Sequence, residues 1–271
     1  MDWGLFGILF LICAALCAVG FYKFVYFLSV GYGLAVAGGA IAVFAAYLLG
    51  PSSTPCWLVL VQMLLFVCYG ARLSGFLLLR EYKNAAFRKT DVAKASLTKN
   101  SEKKMPIFVM VVIWLTVSAL YVMQLSPMLF RWQNGSADLL LPVIGFVISA
   151  AGLVLESAAD RQKSAQKKRN PKMVATQGLY RLVRCPNYFG EITFWTGVFV
   201  GGLSTYRGVW QWIFAVVAYV SIVYIMFNGA QRMEKRQMKQ YGELPEYRSY
   251  ADKTPIILPF VPIYHLNRKE S

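Results

Sequence analysis

The sequence predicts an all-α integral membrane protein with seven transmembrane helices, the N-terminus outside and the C-terminus in the cytosol. Three observations carry this. Of 271 residues, 57% are apolar and only 15% are charged, well below the charge of an ordinary globular domain. Seven apolar stretches, at about 3–22, 25–49, 57–79, 105–126, 138–158, 187–203 and 207–230, approach the roughly 20 residues that a bilayer requires. Finally, 24 of the 28 Lys and Arg fall in three stretches, Arg80–Lys104, Arg161–Arg184 and Arg232–Lys269. With seven crossings drawn, all three lie on one side, as the positive-inside rule asks. The net charge of +15 therefore belongs to cytosolic loops, which argues against the nucleic-acid binding that a pI of ≈ 9.7 invites.

The first two runs read as structural, and residues 1–56 form an N-terminal two-helix segment ahead of a chemistry-bearing region, 57–271. No basic stretch precedes the first run and no small-residue cleavage site follows it, so it is expected to be a retained helix and not a signal peptide. Gly31, Gly33, Gly38 and Gly39 lie in an apolar run with no strand before them. They predict close helix packing, not a nucleotide-binding loop. Gly197 and Gly201 in the sixth run get the same reading.

The third run carries a polar stripe. Gln62, Tyr69, Arg72 and Arg80 follow at i, i+7, i+10 and i+18, within roughly 80° of one another on a helix turning about 100° per residue. An ionisable group inside a membrane helix is costly and marks a functional site, so Arg72 is expected to line a cavity. Arg80 is expected to snorkel to the interface. The fourth run ends near Gln124, and Pro127 to Ala137 is expected to be a short outer loop.

The fifth run ends in Glu156 and Asp160, acids at the inner end of a helix, where the backbone dipole disfavours them. A basic loop follows, with Lys163, Lys167, Lys168 and Arg169. Such a mouth sets acids against ribose or amide donors and cations against phosphates. Next comes GLYRLVRCPNYFGEITFW, from Gly178 to Trp195. Pro186 marks the start of a helix, and Asn187, Glu191 and Trp195 follow at i, i+4 and i+8 on one face. The polar helix end after the seventh run, and then Pro255, Pro259 and Pro262, predict a tail that folds back along the inner surface and closes over a site. Five cysteines without CxxC spacing and one His predict neither a structural disulfide nor a metal.

These residues together resemble the steroid 5-alpha reductase family. The carrying pattern is the acid-rich helix end E156SAAD160, the basic loop and GLYRLVRCPNYFGEITFW, with the tail motif ILPF and the Tyr69-x-x-Arg72 pair. The resemblance covers roughly residues 60–262 and is strongest over 156–197. It implies a seven-helix membrane enzyme that uses NADPH to reduce a carbon–carbon double bond conjugated to a ketone, as in the Δ4 bond of a 3-oxosteroid or a related enone lipid. By that resemblance Asn187 and Glu191 hold the nicotinamide-ribose part of NADPH and Asp160 the adenosine side. Arg72, Lys167, Lys168 and Arg184 face the phosphates, and Tyr69 holds the substrate ketone. The animal enzymes carry an adjacent Gln-Glu pair in an earlier helix, and this sequence has none. Gln62, two turns from Tyr69, is the residue that would substitute in part. The expected partners are a small hydrophobic enone and membrane lipid, and the expected location is a bacterial inner membrane.

Two other readings remain open. The family of isoprenylcysteine carboxyl methyltransferases, which use S-adenosylmethionine, has a similar GxYxxxRHPxYxG-like motif, but here Cys185 stands where its His would be. A non-catalytic lipid- or sterol-binding membrane protein is the third.

Overall fold

The computed structural model describes residues 3–83 and 106–267, apart from the side chains of Arg80, Glu81 and Lys83. The basic stretch 84–105 and the predicted snorkelling of Arg80 lie outside the described residues. Among these residues the regular structure is helical: α1 (Trp3–Cys17), α2 (Val30–Leu49), α3 (Cys56–Lys83), α4 (Ile107–Gln133), α5 (Leu140–Arg169), α6 (Pro186–Gly202), α7 (Gly208–Tyr241) and α8 (Pro245–Lys253). Six spans, α1 continued by a 3-10 turn to Phe21, α2 to α5 and α7, are long and apolar enough to cross a membrane, which makes this a multi-pass membrane protein by composition. The expected sixth span, α6, is a helix of 17 residues, about 25 Å at 1.5 Å per residue.

By packing, the chain forms two compact units: Met1–Leu139 with Gly202–Ala218, and Leu140–Gly201 with Tyr219–Ser271. In the first unit α2 and α3 meet through glycines. A methyl group on Gly33 would stand 2.7 Å from the Gly70 carbonyl oxygen, so only hydrogen fits between these backbones. Ser74 Oγ then donates to the Val30 carbonyl at 2.9 Å. This is the close packing predicted for the glycines of the second run, and it suits an apolar solvent in which helices associate through small residues. Aromatic rings fill the rest: Phe6 lies edge-on to Phe214 at 5.4 Å, and Tyr32 stacks on Tyr121 at 4.8 Å.

Helix α4 corrects one expectation. It runs through Pro127 to Gln133 where an outer loop was expected to begin. Proline removes one backbone hydrogen bond, and in membrane helices neighbouring groups make that tolerable. Asn134 closes the end with its N–H on the Phe130 carbonyl at 2.9 Å.

In the second unit α5 also runs past its expected end. Residues 161–169, expected as a basic loop, continue the helix to Arg169. At 30 residues it is about 45 Å long, beyond the roughly 30 Å of hydrocarbon. Its last turns therefore stand clear of that layer, and their lysines suit a helix C-terminus. Helix α7 does the same over 34 residues, apolar to Phe227 and polar from Gln231 onward.

Candidate functional site

Helices α5 and α6 of the second unit fit together along small residues. A Cβ on Gly145 would strike the carbonyl of Gly197 and the backbone of Gly201, and one on Gly152 would strike the backbone of Phe194. Ser149 Oγ donates to the Phe194 carbonyl at 3.0 Å. At the far end of this seam Gly190 lies against Glu156, whose N, Cβ and Cα would stand 2.7, 2.9 and 3.0 Å from a methyl group there. The seam thus brings buried Glu156 against the residue that precedes buried Glu191.

The predicted face on α6 is present. Trp195 Nε1 donates to Glu191 Oε1 at 3.2 Å, one turn apart. Asn187, one turn earlier, is half-buried, and its carboxamide Oδ1 is buried with no hydrogen-bond partner. A buried acceptor left unmade costs free energy, and this one sits at the polar mouth of the helix. Asp160 is half-buried on α5, one turn after Glu156.

The stretch between α5 and α6 is pinned by α5 itself. Gln162 Oε1 accepts the Leu179 N–H at 2.9 Å, and Gln166 Oε1 accepts those of Thr176 and Gln177, both at 2.9 Å. Gly178 takes φ +67 with the Gln162 side chain against it, a conformation that admits glycine at no cost. Lys167 Nζ donates to the Pro171 and Met173 carbonyls, both at 2.8 Å, and to the Tyr241 hydroxyl at 2.9 Å. All three of its protons are used inside the protein. Lys168 is exposed.

Arg184 is buried and faces the tail. Its Nη2 donates to Glu234 Oε1 at 2.7 Å and also to the Tyr264 carbonyl. Glu234 Oε2 accepts the N–H groups of Leu266 and Asn267 at 2.9 and 3.1 Å and the Asn267 amide at 2.7 Å. His265 lies between Glu234 at 3.0 Å and Asp252 at 2.9 Å. The backbone joins in: Arg184 N–H donates to the Pro255 carbonyl at 2.8 Å and Cys185 N–H to that of Ile256 at 2.9 Å. The tail folds back, as predicted, onto the residues that lead into α6. Burial pushes the Cys185 thiol up to about 12.

Sequence reasoning did not find Glu234, His265, Gln162 or Gln166. A lone acid in the basic run RMEKRQMK is a signal for Glu234, since it must have a reason to be there. A cavity of about 1140 Å³ opens in this unit beside Glu234, Lys235, Lys239, Arg248, Asp252 and His265, and none of the site residues predicted from the sequence lines it.

In the first unit Tyr69 is fully buried on α3, its ring edge-on to Tyr32 at 5.7 Å. Gln62 is buried on the same stripe, with Nε2 lacking a hydrogen-bond partner, and Arg72 is half-buried. The predicted residues therefore form two sets: Gln62, Tyr69 and Arg72 on α3 in one unit, and Asp160, Lys167, Lys168, Arg184, Asn187 and Glu191 in the other.

A family model described as a protein of unknown function, DUF1295, matches residues 32–254, most of the chain. No curated protein and no solved structure matches.

Proposed function

We propose that this chain, which belongs to the DUF1295 family, is a membrane-embedded, NADPH-dependent reductase of a carbon–carbon double bond conjugated to a ketone. The observation that carries the reading is the face of α6. Asn187 presents a buried carboxamide oxygen that no protein group satisfies, one turn from buried Glu191. A ligand with N–H or O–H donors, such as a nicotinamide amide or a ribose hydroxyl, suits that pair. NADPH, when bound, supplies the hydride.

Each residue then has a task. Asn187 and Glu191 accept hydrogen bonds from the nicotinamide-ribose part, and Trp195 steadies Glu191 through its indole N–H. Asp160 and Lys168 serve the adenosine and phosphate ends. Lys167 and Arg184, engaged with Tyr241 and Glu234, hold the loop and tail in position instead of carrying phosphate. In the first unit Tyr69, with Gln62 and Arg72 on its helix, receives the substrate ketone. As hydride adds at the β-carbon, negative charge grows on the ketone oxygen, and a phenol hydrogen bond there lowers the barrier. A proton then reaches the α-carbon to complete the reduction. The reading takes α6 as the sixth of seven spans, with the N-terminus outside, because that count sets every basic stretch on one side.

The test is thermal stabilisation of the detergent-purified protein by NADPH, NADH and S-adenosylmethionine in parallel. A ligand at a hundredfold excess over its Kd adds about 2.7 kcal/mol to stability. NADPH is expected to raise the midpoint in the wild type and not in Asn187→Ala. Tyr69→Phe is expected to keep that response while losing turnover of an enone by about 100-fold or more. Stabilisation by S-adenosylmethionine alone overturns the reading.

A further inference from the structure

The returning tail carries a turn whose tip has no task in the proposed function. The Val261 N–H donates to the Leu258 carbonyl at 3.4 Å, and the Ile256 N–H to that of Ile263 at 2.8 Å. Pro259 stands second in the turn and Phe260 third. Phe260 takes φ +66, as in a type II turn, where that position favours glycine. Among the described residues it is the one non-glycine with a positive φ. A residue with a Cβ is strained there, and an observed strain of this kind points to function. Inside the protein Phe260 gains nothing in return, since it is 96% exposed. Val261 and Pro262 beside it are exposed as well. Three apolar residues in a row are thus held out from the fold, and an exposed apolar patch marks an interaction site.

The base of the turn shows what the tip meets. Ile256 and Ile257 are buried with Met233, and Val223 and Phe227 of α7 pack on the same cluster. Helix α7 is long and apolar enough to cross a membrane. It is apolar to Phe227 and polar from Gln231 onward, so the turn sits at the level where α7 leaves the hydrocarbon. Just beyond that level α7 carries exposed Arg232, Lys235 and Arg236, cations that suit the headgroups of an anionic leaflet.

We propose that Phe260, with Val261 and Pro262, inserts into the bilayer surface and anchors the tail there. The partner is the lipid of one leaflet. Acyl chains take the apolar tip, and anionic headgroups take the three cations of α7. The strain at Phe260 is offset by the apolar surface that insertion removes from water. Anchoring also has a consequence inside the protein. The Pro255 and Ile256 carbonyls accept the N–H groups of Arg184 and Cys185, the two residues before α6, so a tail fixed in lipid steadies the entry to that helix. The inference does not depend on the enone reading.

The test puts the photoreactive residue p-benzoyl-phenylalanine at single positions of the full chain, held in nanodiscs of phosphatidylcholine and phosphatidylglycerol. Replacing Tyr224, exposed in the apolar part of α7, sets the yield of phospholipid adduct for a side chain in hydrocarbon. Replacing Glu246, exposed on α8, sets the background. Replacing Phe260 is expected to give the adduct, read by intact mass, at a yield near that of Tyr224. A yield no higher than that of Glu246 overturns the anchor. So does a cross-link to a second copy of the chain, which makes the tip a protein contact. Phe260→Asn supplies a second readout. Asn accepts a positive φ more readily than Phe, so a turn with a purely internal role would hold the tail as well as before or better. Trypsin cutting after exposed Lys253 is expected instead to release the tail about tenfold faster than in the wild type, because an aromatic side chain has left the lipid. Release at the wild-type rate or slower overturns the proposal.

Discussion

Glu234 of the second unit and Gln62 and Gln124 of the first are buried polar groups treated in opposite ways. Glu234, in the second, is 3% exposed and gathers Arg184, His265, the Asn267 amide and two backbone N–H groups. Every lone pair of that carboxylate has a donor, and what those donors share is the returning tail. Gln62 and Gln124, in the first, lie among apolar helices with amide atoms unmade. A buried charge is tolerable only when its bonds are complete, and Glu234 meets that condition from within the chain. A neutral amide is cheaper to leave open, and a site that must admit a ligand has to leave something open. The difference separates a charge completed within the chain from neutral amides whose bonds the chain leaves open.

The largest expected effect tests the first kind. Glu234→Ala leaves Arg184 buried without its carboxylate and frees two backbone N–H groups of the tail. Breaking such a pair costs about 3–5 kcal/mol. The tail 254–267 is expected to become sensitive to limited proteolysis, and the thermal midpoint to fall well below that of the wild type. If removing Glu234 costs no more than removing Gln124, the contrast drawn above is wrong. A smaller loss is expected at the helix seam. Gly197→Val sets a branched side chain against the Gly145 carbonyl and Ser149, an overpacking worth about 1–3 kcal/mol. A variant that keeps the wild-type midpoint would show that α5 and α6 do not depend on this close approach.

Much of this was legible in the chain. Asn187, Glu191 and Trp195 could be placed on one face because helical spacing is local, and the Trp195–Glu191 bond is the i, i+4 contact that spacing predicts. The glycine seams were readable for the same reason. What stayed hidden is nonlocal. Arg184 and Glu234 are 50 residues apart, so nothing near either names the other, and Arg184 reads as a phosphate ligand until its partner is seen. The ends of α4 and α5 were misjudged by local rules. Pro127 breaks a helix in water but not in this one, and a run of lysines that looks like a loop is also the charge a helix C-terminus favours. Gln124 passed as the end of a span, since a single amide in an apolar run differs from a satisfied one only in what surrounds it.

The smallest expected effect is a dependence on alkaline pH to which groups of the second unit contribute. Burial pushes the Cys185 thiol from 9.0 up to about 12. Burial likewise raises the phenols of Tyr180, with Asp160 adding to it, and of Tyr250 above their ordinary 10.0. The two tyrosines are joined, Tyr250 donating to the Tyr180 carbonyl at 2.6 Å. The folded state holds these protons more tightly than the unfolded chain does. Their contribution is therefore fully present below about pH 9 and is lost as pH rises through the unfolded values toward the folded ones. Each group steepens the fall by at most about 1.4 kcal/mol per pH unit. Thermal unfolding between about pH 7.5 and 10.5 is expected to show a flat midpoint that then declines. Tyr250→Phe removes one titrating group and is expected to make the decline shallower, even if its starting midpoint is lower through loss of the bond to Tyr180. An unchanged slope would mean that the phenol does not titrate with unfolding, and that the packing of α8 on the loop before α6 is looser than its hydrogen bonds imply.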